Sequence, residues 1–358
     1  MPNNIKPESK TPPLRLVAWE TTRNCNLSCV HCRAAATRGP YTGELDTSAS
    51  FRLLDQIAET GKPIIILTGG EPLLRPDIFE IAQYGTKKGL RMVMAPNGTL
   101  VDRDAAMKMK VAGIQRISIS IDGATKARHD GFRGVDGAFD SAMKGIAAAK
   151  AADIEFQINT TITKLNKDQI PAILKLAESL GAAALHIFLL VPTGRGKYIV
   201  DQAISADEYE STLNWFYDQR EKSSLTLKAT CAPHYYRILR QRAHADGKSV
   251  TFDSHGLDAV TRGCLGGIGF CFISHTGIVQ PCGFLDLNCG DVKESSFYDI
   301  WHESDVFTSL RDYNRLEGKC GFCEFARVCG GCRARAFEST GNFLAEEPLC
   351  NYMPKRAS

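Results

Sequence analysis

The sequence predicts an α/β fold, a partial (β/α)6 TIM-like barrel followed by a smaller C-terminal cysteine-rich domain. Three observations carry this reading. From Leu14 to about Ser223, short apolar runs rich in β-branched residues alternate with amphipathic helical patterns. The alternation is strict, which implies a parallel sheet covered by helices, and its roughly six units fall short of the eight that close a TIM barrel. An open barrel with a lateral mouth follows. Finally, ten of the thirteen cysteines lie after residue 230, so cysteine usage itself marks off a second domain.

In chain order, the expected strands are Leu14–Glu20, Pro63–Thr68, Arg91–Pro96, Arg116–Ile121, Glu155–Ile162 and Ala184–Val191. After the first strand, Phe51, Leu54, Ile57 and Ala58 share one helical face, with Thr47 or Ser48 as N-cap and Gly61 as the stop. Pro76 and Gly89 bracket a further helix, and Gly113 and Gly181 end two more. Phe139, Met143, Ile146 and Ala147 repeat the amphipathic pattern in a later helix, and a last one is expected around Asp207–Arg220. The domain boundary is placed near 225, giving a flexible tail (1–13), a barrel (14–225) and a C-terminal domain (226–358). From Lys228 onward short elements are expected, with no long periodic helix until the tail.

With 358 residues, 44% hydrophobic and 23% charged, the chain has ample material for a buried core and no disordered signature. A net charge of +3 is too small to argue for a nucleic-acid or anionic-membrane partner. Residues 1–13 (MPNNIKPESKTPP) are polar and Pro-rich and lack the apolar stretch of a secretory signal. No segment approaches the roughly 20 apolar residues of a membrane span. A cytoplasmic location is the expectation, and in a reducing compartment an odd, high cysteine count favours metal or cluster ligation over disulfides.

The densest chemistry is Arg-Asn-Cys25-Asn-Leu-Ser-Cys29-Val-His31-Cys32-Arg, just after the first strand. Three thiolates on one short loop suit a [4Fe–4S] cluster, which takes cysteine on every iron when it only carries electrons. One ligand too few leaves the fourth iron open for a small molecule. A zinc site or buried thiols are the bland alternatives. Gly69-Gly70-Glu71-Pro72 follows the second strand, Asn97-Gly98 the third and Asp122-Gly123 the fourth. Loops at strand ends build the active face of such barrels, although Asn-Gly and Asp-Gly are also ordinary turn dipeptides.

The cysteine spacing together with Gly-Gly-Glu-Pro resembles the radical S-adenosylmethionine (SAM) enzymes. In that superfamily the open iron chelates the amino and carboxylate groups of SAM, and the resulting radical abstracts hydrogen from an unactivated carbon. The resemblance puts Gly69, Gly70 and Glu71 at the SAM amino group, with Pro72 fixing the turn. It makes Ser118, Ser120 and Asp122 ribose- and carboxylate-contacting positions and sets Asn97, Thr161 and Val191 along the cofactor. His31 takes the place that packs on adenine, and Arg133 either pairs with the SAM carboxylate or is an exposed structural arginine.

Cys264, Cys271, Gly277 and Cys282, then Cys320-x2-Cys323-x5-Cys329-x2-Cys332 and Cys350, resemble the SPASM extension of these enzymes. It binds two auxiliary [4Fe–4S] clusters, which by position puts Cys264, Cys271, Cys282 and Cys332 on the first. Cys320, Cys323, Cys329 and Cys350 fall on the second. The family usually has three residues between its last two clustered cysteines, and here there are only Gly330 and Gly331. A pair of four-cysteine zinc sites is the alternative. Cys231 and Cys289 are left over, Cys231 either facing substrate or being one more buried thiol.

Longer stretches are similar to the tetrapyrrole-modifying branch of the SPASM enzymes, among them Ala229–Arg240 (ATCAPHYYRILR) and Thr261–Phe272 (TRGCLGGIGFCF). The similarity is greatest to its heme-forming members, which implies an iron-tetrapyrrole substrate, iron-coproporphyrin III, with two propionates converted to vinyl groups. Hydrogen abstraction from the propionate β-carbon, followed by loss of CO2, forms each vinyl group and releases one electron. That electron gives the auxiliary clusters a purpose. A one-electron donor and an acceptor are implied as partners. Arg195, Lys197, His234, Tyr235 and Arg237 are substrate candidates, each with a solvated surface residue as its alternative. The competing activities are 12,18-didecarboxysiroheme deacetylation and SPASM-type peptide maturation; a zinc-stabilised scaffold is the non-enzymatic one.

Overall fold

The computed structural model describes residues 11–255, 259 and 261–355; the expected tail therefore lies outside them except for residues 11–13. One ten-stranded sheet organises the chain, in the order β10-β9-β8-β1-β2-β3-β4-β5-β6-β7. The first six strands are β1 (Leu16–Thr22), β2 (Ile64–Gly69), β3 (Arg91–Met94), β4 (Arg116–Ser120), β5 (Glu155–Ile162) and β6 (Ala184–Leu189). These match the apolar runs read from the sequence to within one or two residues, and each is parallel to the next.

Two strands extend this series. β7 (Thr226–Thr230) pairs in parallel with β6, so the sheet continues past the boundary expected near 225. At the opposite edge β8 (Phe270–Ile273) pairs in parallel with β1, with Val17 opposite Cys271 and Ala18 opposite Phe272. The short antiparallel strands β9 (Ile278–Gln280) and β10 (Gly290–Asp291) follow. The sheet is thus shared between the barrel and the cysteine-rich region.

Helices α1 (Thr47–Thr60), α2 (Ile78–Lys87), α3 (Arg103–Val111), α4 (Lys126–Arg133), α5 (Ala138–Ala151), α6 (Ile170–Leu180) and α7 (Ala206–Gln219) lie between successive strands. Their apolar stripes meet one face of the sheet. Leu53, Leu54 and Ile57 of α1 join Val17 and Trp19 of β1 and Ile65 and Leu67 of β2 in the main core. Alternation along β1 sends Ala18 and Glu20 to the other face. Asp46, not Thr47 or Ser48, caps α1: its carboxylate accepts from the Ala49 amide at 2.7 Å, while the Thr47 hydroxyl donates to Asp77.

The expectation of no long helix after Lys228 is overturned by α8 (His234–Ala245). Pro233 precedes it, and Tyr235, Ile238 and Leu239 recur at helical spacing to bury one face. The many polar residues around them masked the pattern.

One contact tests this packing. Gly145 of α5 faces the Gly98 loop so closely that a Cβ there would sit 2.2 Å from the Gly98 carbonyl oxygen. In an open helix Gly→Ala stabilises by about 1 kcal/mol. Here Gly145→Ala is expected to destabilise by roughly 1–3 kcal/mol through overpacking, read as a lower denaturation midpoint.

Candidate active site

The cysteine loop leaves β1 and is pinned at both ends. The Cys25 amide donates to the Thr37 carbonyl at 3.0 Å, and the Cys32 amide to Cys29 at 3.3 Å. Cys25 and Cys29 are buried with Leu27, Ala36 and Ala138, and Cys32 packs against them. Arg195, expected at the substrate, is instead a clamp on this loop. Its Nε donates to the Cys29 carbonyl at 2.8 Å, its Nη1 to Ala36 at 2.7 Å, and its amide to Cys32 at 2.9 Å.

Burial pushes the Cys25 thiol up to about 11 and raises Cys29 as well. A thiolate at these positions therefore needs cationic company. Arg133 supplies some of it: the side chain is buried, pairs with Asp122 and donates from Nη1 to the Cys29 sulfur at 3.6 Å. It is buried rather than exposed, which corrects the reading of it as an exposed structural arginine.

Gly69 and Gly70 show why the second motif is glycine. A Cβ on Gly69 would lie 2.4 Å from the Thr22 carbonyl oxygen, and one on Gly70 would lie 2.5 Å from those of Arg23 and Asn24. The missing side chains admit the cysteine-loop backbone, and amide bonds of 2.8 Å from Gly70 to Thr22 and from Glu71 to Asn24 lock the two loops together. The Glu71 carboxylate is buried and accepts from the Asn97 amide at 2.6 Å and the Leu73 amide at 3.1 Å. Burial raises its pKa to about 7. Pro72 starts a short 3-10 turn.

The other expected cofactor positions cluster around these loops with one exception. The Asn97 amide side chain donates to Asn26 of the cysteine loop at 2.8 Å. Ser118 and Ser120 are half-buried on β4, opposite in direction to Ile117 and Ile119. Asp122 is buried beyond β4 and accepts from the Thr161 amide at 2.7 Å. The His31 ring lies 4.5 Å from that of Phe132, tilted by 41°, with Nδ1 buried and unpartnered among the described residues. Val191 departs from expectation, packing with Leu285, Cys332 and Ala334.

A cationic network beside the loop escaped the sequence reading. Glu20, fully buried on β1, receives Arg23 at 3.3 Å, Arg33 at 3.5 Å and His275 at 3.0 Å. Arg33 directly follows Cys32 and lies 4.3 Å over the Phe272 ring. Arg23 and Arg33 are near Glu20 in sequence, whereas His275, 255 residues on, is brought to it by the β1–β8 pairing.

The C-terminal cysteines form two groups. Cys320, Cys323, Cys329 and Cys350 line one cavity together with His234, Arg237 and Lys319. Backbone amides point at three of the four sulfurs: Glu347 at Cys320, Phe325 at Cys323 and Gly331 at Cys329, at 3.4–3.5 Å. Gly330 and Gly331 both have positive φ, at 73° and 61°. They turn the chain so sharply that Cys329 and Cys332 reach different groups across only two residues.

Cys332 lies in the second group with Cys282 and Cys231 packed around it, and Cys264 bonds through its amide to the Cys329 carbonyl at 3.2 Å. Cys271 is not part of this group. It is buried in the main core on β8, against Val17 of β1, where its cysteine neighbour is Cys289. Among the described residues no three His, Cys, Asp or Glu side chains converge on one metal-ion position.

The buried Arg335–Glu347 pair ties these parts together. Arg335 meets Glu347 at 2.9 Å, the Tyr209 hydroxyl at 2.9 Å, the Cys231 carbonyl at 2.7 Å and the Leu190 carbonyl at 3.3 Å. Glu347 in turn accepts from the Cys332 amide at 2.5 Å.

The remaining substrate candidates lie in different surroundings. Lys197 is 58% exposed and pairs with Glu338 on the surface. Tyr235 is in the main core. Arg237 is buried against Glu210, its Nη1 bonding at 2.9 Å. His234 is buried with neither ring nitrogen partnered among the described residues, and burial lowers its pKa to about 3.

With this geometry in hand, comparison with known proteins is direct. The radical SAM superfamily matches residues 19–177, and the SPASM iron-sulfur cluster-binding domain matches residues 264–332. These matches define the class, a radical SAM enzyme with a cluster-binding extension. Over 98% of this chain and 95% of the relative, the sequence is 57% identical to the AdoMet-dependent heme synthase of Nitratidesulfovibrio vulgaris. It is 32% identical to the Fe-coproporphyrin III synthase of Methanosarcina barkeri, over 95% of this chain and 88% of that one. The chain belongs to the radical SAM/SPASM enzymes, in the family of the AdoMet-dependent heme synthases. In fold it is similar to Streptococcus suis SuiB bound to S-adenosylmethionine, with a TM-score of 0.75 at 15% identity, covering 96% of this chain and 78% of that one. Among the described residues no helix is long and apolar enough to cross a membrane.

The Glu20 network predicts a pH effect. Burial works to raise the carboxyl, but Arg33, His275 and Arg23 outweigh it and hold the pKa near 2 against an ordinary 4.5, that is, to about 2. A depressed carboxyl stabilises the fold above its unfolded pKa and loses that contribution as pH falls through its folded one. Glu20→Gln is expected to lower stability by on the order of 3 kcal/mol at neutral pH. The gap between variant and wild type narrows as pH drops from about 4.5 toward 2, measured by denaturant titration across pH.

Proposed function

We propose that this enzyme converts iron-coproporphyrin III to heme b by oxidative decarboxylation of two propionates to vinyl groups. The observation that carries the reading is the 57% identity to an AdoMet-dependent heme synthase over nearly both whole chains. Identity to the Fe-coproporphyrin III synthase is much lower, at 32%. This weighs against the deacetylating alternative.

In this reading Cys25, Cys29 and Cys32 hold the SAM-binding [4Fe–4S] cluster. Cys320, Cys323, Cys329 and Cys350 hold one auxiliary cluster, and Cys264, Cys282 and Cys332 contribute to the other. The cavity lined by four cysteines, with amides aimed at their sulfurs, fits a thiolate-held cluster. When bound, these groups and SAM supply a hydrogen-abstracting radical and an outlet for the electron released with CO2.

The protein's own contribution is positioning and charge. Arg195, Arg133 and the Gly69–Glu71 turn fix the cysteine loop from three sides. Ser118, Ser120, Asp122 and Thr161 lie on the neighbouring strand ends, where SAM is expected to lie along them. Beside the same loop, Glu20 pairs with Arg23 and Arg33, and Glu44 accepts from the Arg23 amide at 2.9 Å. The Arg23 Nε is buried without a partner among the described residues. Two arginines beside the cysteine loop, one with a buried Nε left to donate, suit a substrate rich in carboxylates.

Anaerobic incubation of the reconstituted protein with SAM, a low-potential reductant and iron-coproporphyrin III is expected to yield 5′-deoxyadenosine and heme b. Neither product, from protein whose clusters are intact, overturns the reading. Turnover of 12,18-didecarboxysiroheme in place of iron-coproporphyrin III would establish the deacetylase instead.

A further inference from the structure

We infer that Cys231, and not Cys271, completes the ligand set of the first auxiliary cluster together with Cys264, Cys282 and Cys332. The inference rests on the cofactor reading above and sharpens it at one residue.

Position comes first. Cys231 immediately follows β7, at the same end of the parallel sheet at which the Cys25–Cys32 loop leaves β1. Cys271 lies within β8, in register with Val17, and its side chain is part of the main core. Its partner there is Cys289, which bonds through its amide to Val279 at 2.8 Å. No strand movement short of breaking the β1–β8 pairing would bring Cys271 to the other group.

Packing agrees. Cys231 and Cys282 pack on the patch made by Val191, Leu285, Cys332 and Ala334. The thiols bearing electrostatically on Cys231 are those of Cys332, Cys282 and Cys264. Cys264 and Cys332 are themselves joined through the Cys329–Cys332 turn, because the Cys264 amide donates to the Cys329 carbonyl. Four cysteines therefore surround one place, each from a different segment.

Backbone geometry is the third observation. Cys231 has φ +53°, in the left-handed region that side-chain-bearing residues avoid. Two buried groups hold it there through its carbonyl oxygen, the Tyr209 hydroxyl at 3.1 Å and Arg335 at 2.7 Å. Arg335 stands on the helix Arg333–Thr340, which Cys332 caps. The same helix that positions one thiol thus orients the other. Strained backbone held from several sides is characteristic of a ligand clamp. On ligation the thiol loses its proton to solvent and the thiolate forms the iron–sulfur bond.

The strained φ provides a clean variant. Cys231→Gly removes the sulfur and relieves the left-handed conformation, so loss of folding is not expected. Reconstituted wild-type protein is expected to bind about twelve irons, and Cys231→Gly about eight or a [3Fe–4S] remnant, with one reduced-cluster EPR signal lost or changed. Circular dichroism and the remaining cluster signals should match wild type. Cys271→Ala is expected to keep all the iron and all the signals. Full iron with an unchanged EPR spectrum in Cys231→Gly overturns the assignment, as does loss of one cluster in Cys271→Ala. Wild-type protein that takes up far fewer than about twelve irons overturns the cofactor reading itself, and this assignment with it.

Discussion

The arrangement depends above all on the buried Arg335–Glu347 pair. Both side chains are inaccessible to solvent, and a charge in that position is tolerable only when paired and fully hydrogen-bonded. Arg335 satisfies the condition by reaching out of the C-terminal region to the Leu190 carbonyl, just past β6, and to the Tyr209 hydroxyl on α7. Glu347 satisfies it through the Cys332 amide. One ion pair thus fixes the C-terminal cysteines against the barrel, and its cost of desolvation is offset only in the assembled fold. A pair of this kind contributes register more than net stability.

The cysteine loop shows the complementary solution. Its thiols are buried among apolar neighbours, which disfavours the thiolate. Two arginines, Arg133 at the end of α4 and Arg195 after β6, bring positive charge and hydrogen bonds to the loop without being ligands themselves. From sequence Arg195 is a substrate candidate and Arg133 either a cofactor contact or an exposed structural arginine, and in the fold both make their bonds to the protein around the cysteine loop.

Which features were legible in the sequence follows from how local their physics is. The six strands were visible because buried parallel strands are apolar along their length, as Ile64–Leu67 is, or alternate with period two, as Ile117–Ile121 does. The cysteine loop and the Gly-Gly-Glu-Pro turn were visible because their residues are contiguous. The reason for the glycines was not, since the atoms they admit belong to Thr22–Asn24, some 45 residues earlier. Cys271 was grouped with Cys264 by position in the SPASM resemblance, yet strand pairing sends it into the core. Cys231 lies far from the other cysteines in sequence and is brought to them only by β7 joining the sheet. The link from Glu20 to His275 was hidden by distance in sequence, and α8 by its polar residues.

The pairing of β8 with β1 also sets an order of events during synthesis. Leu16 is opposite Ile64 on one side and Phe270 on the other. The first partner emerges from the ribosome almost at once, while the second emerges only after most of the chain has been made. At roughly 5–20 residues per second, the strand that launches the cysteine loop remains an open edge for some tens of seconds. During that interval Glu20 has Arg23 and Arg33 beside it but not His275. The loop is therefore drafted early and closed last, by a strand that belongs to the other end of the polypeptide.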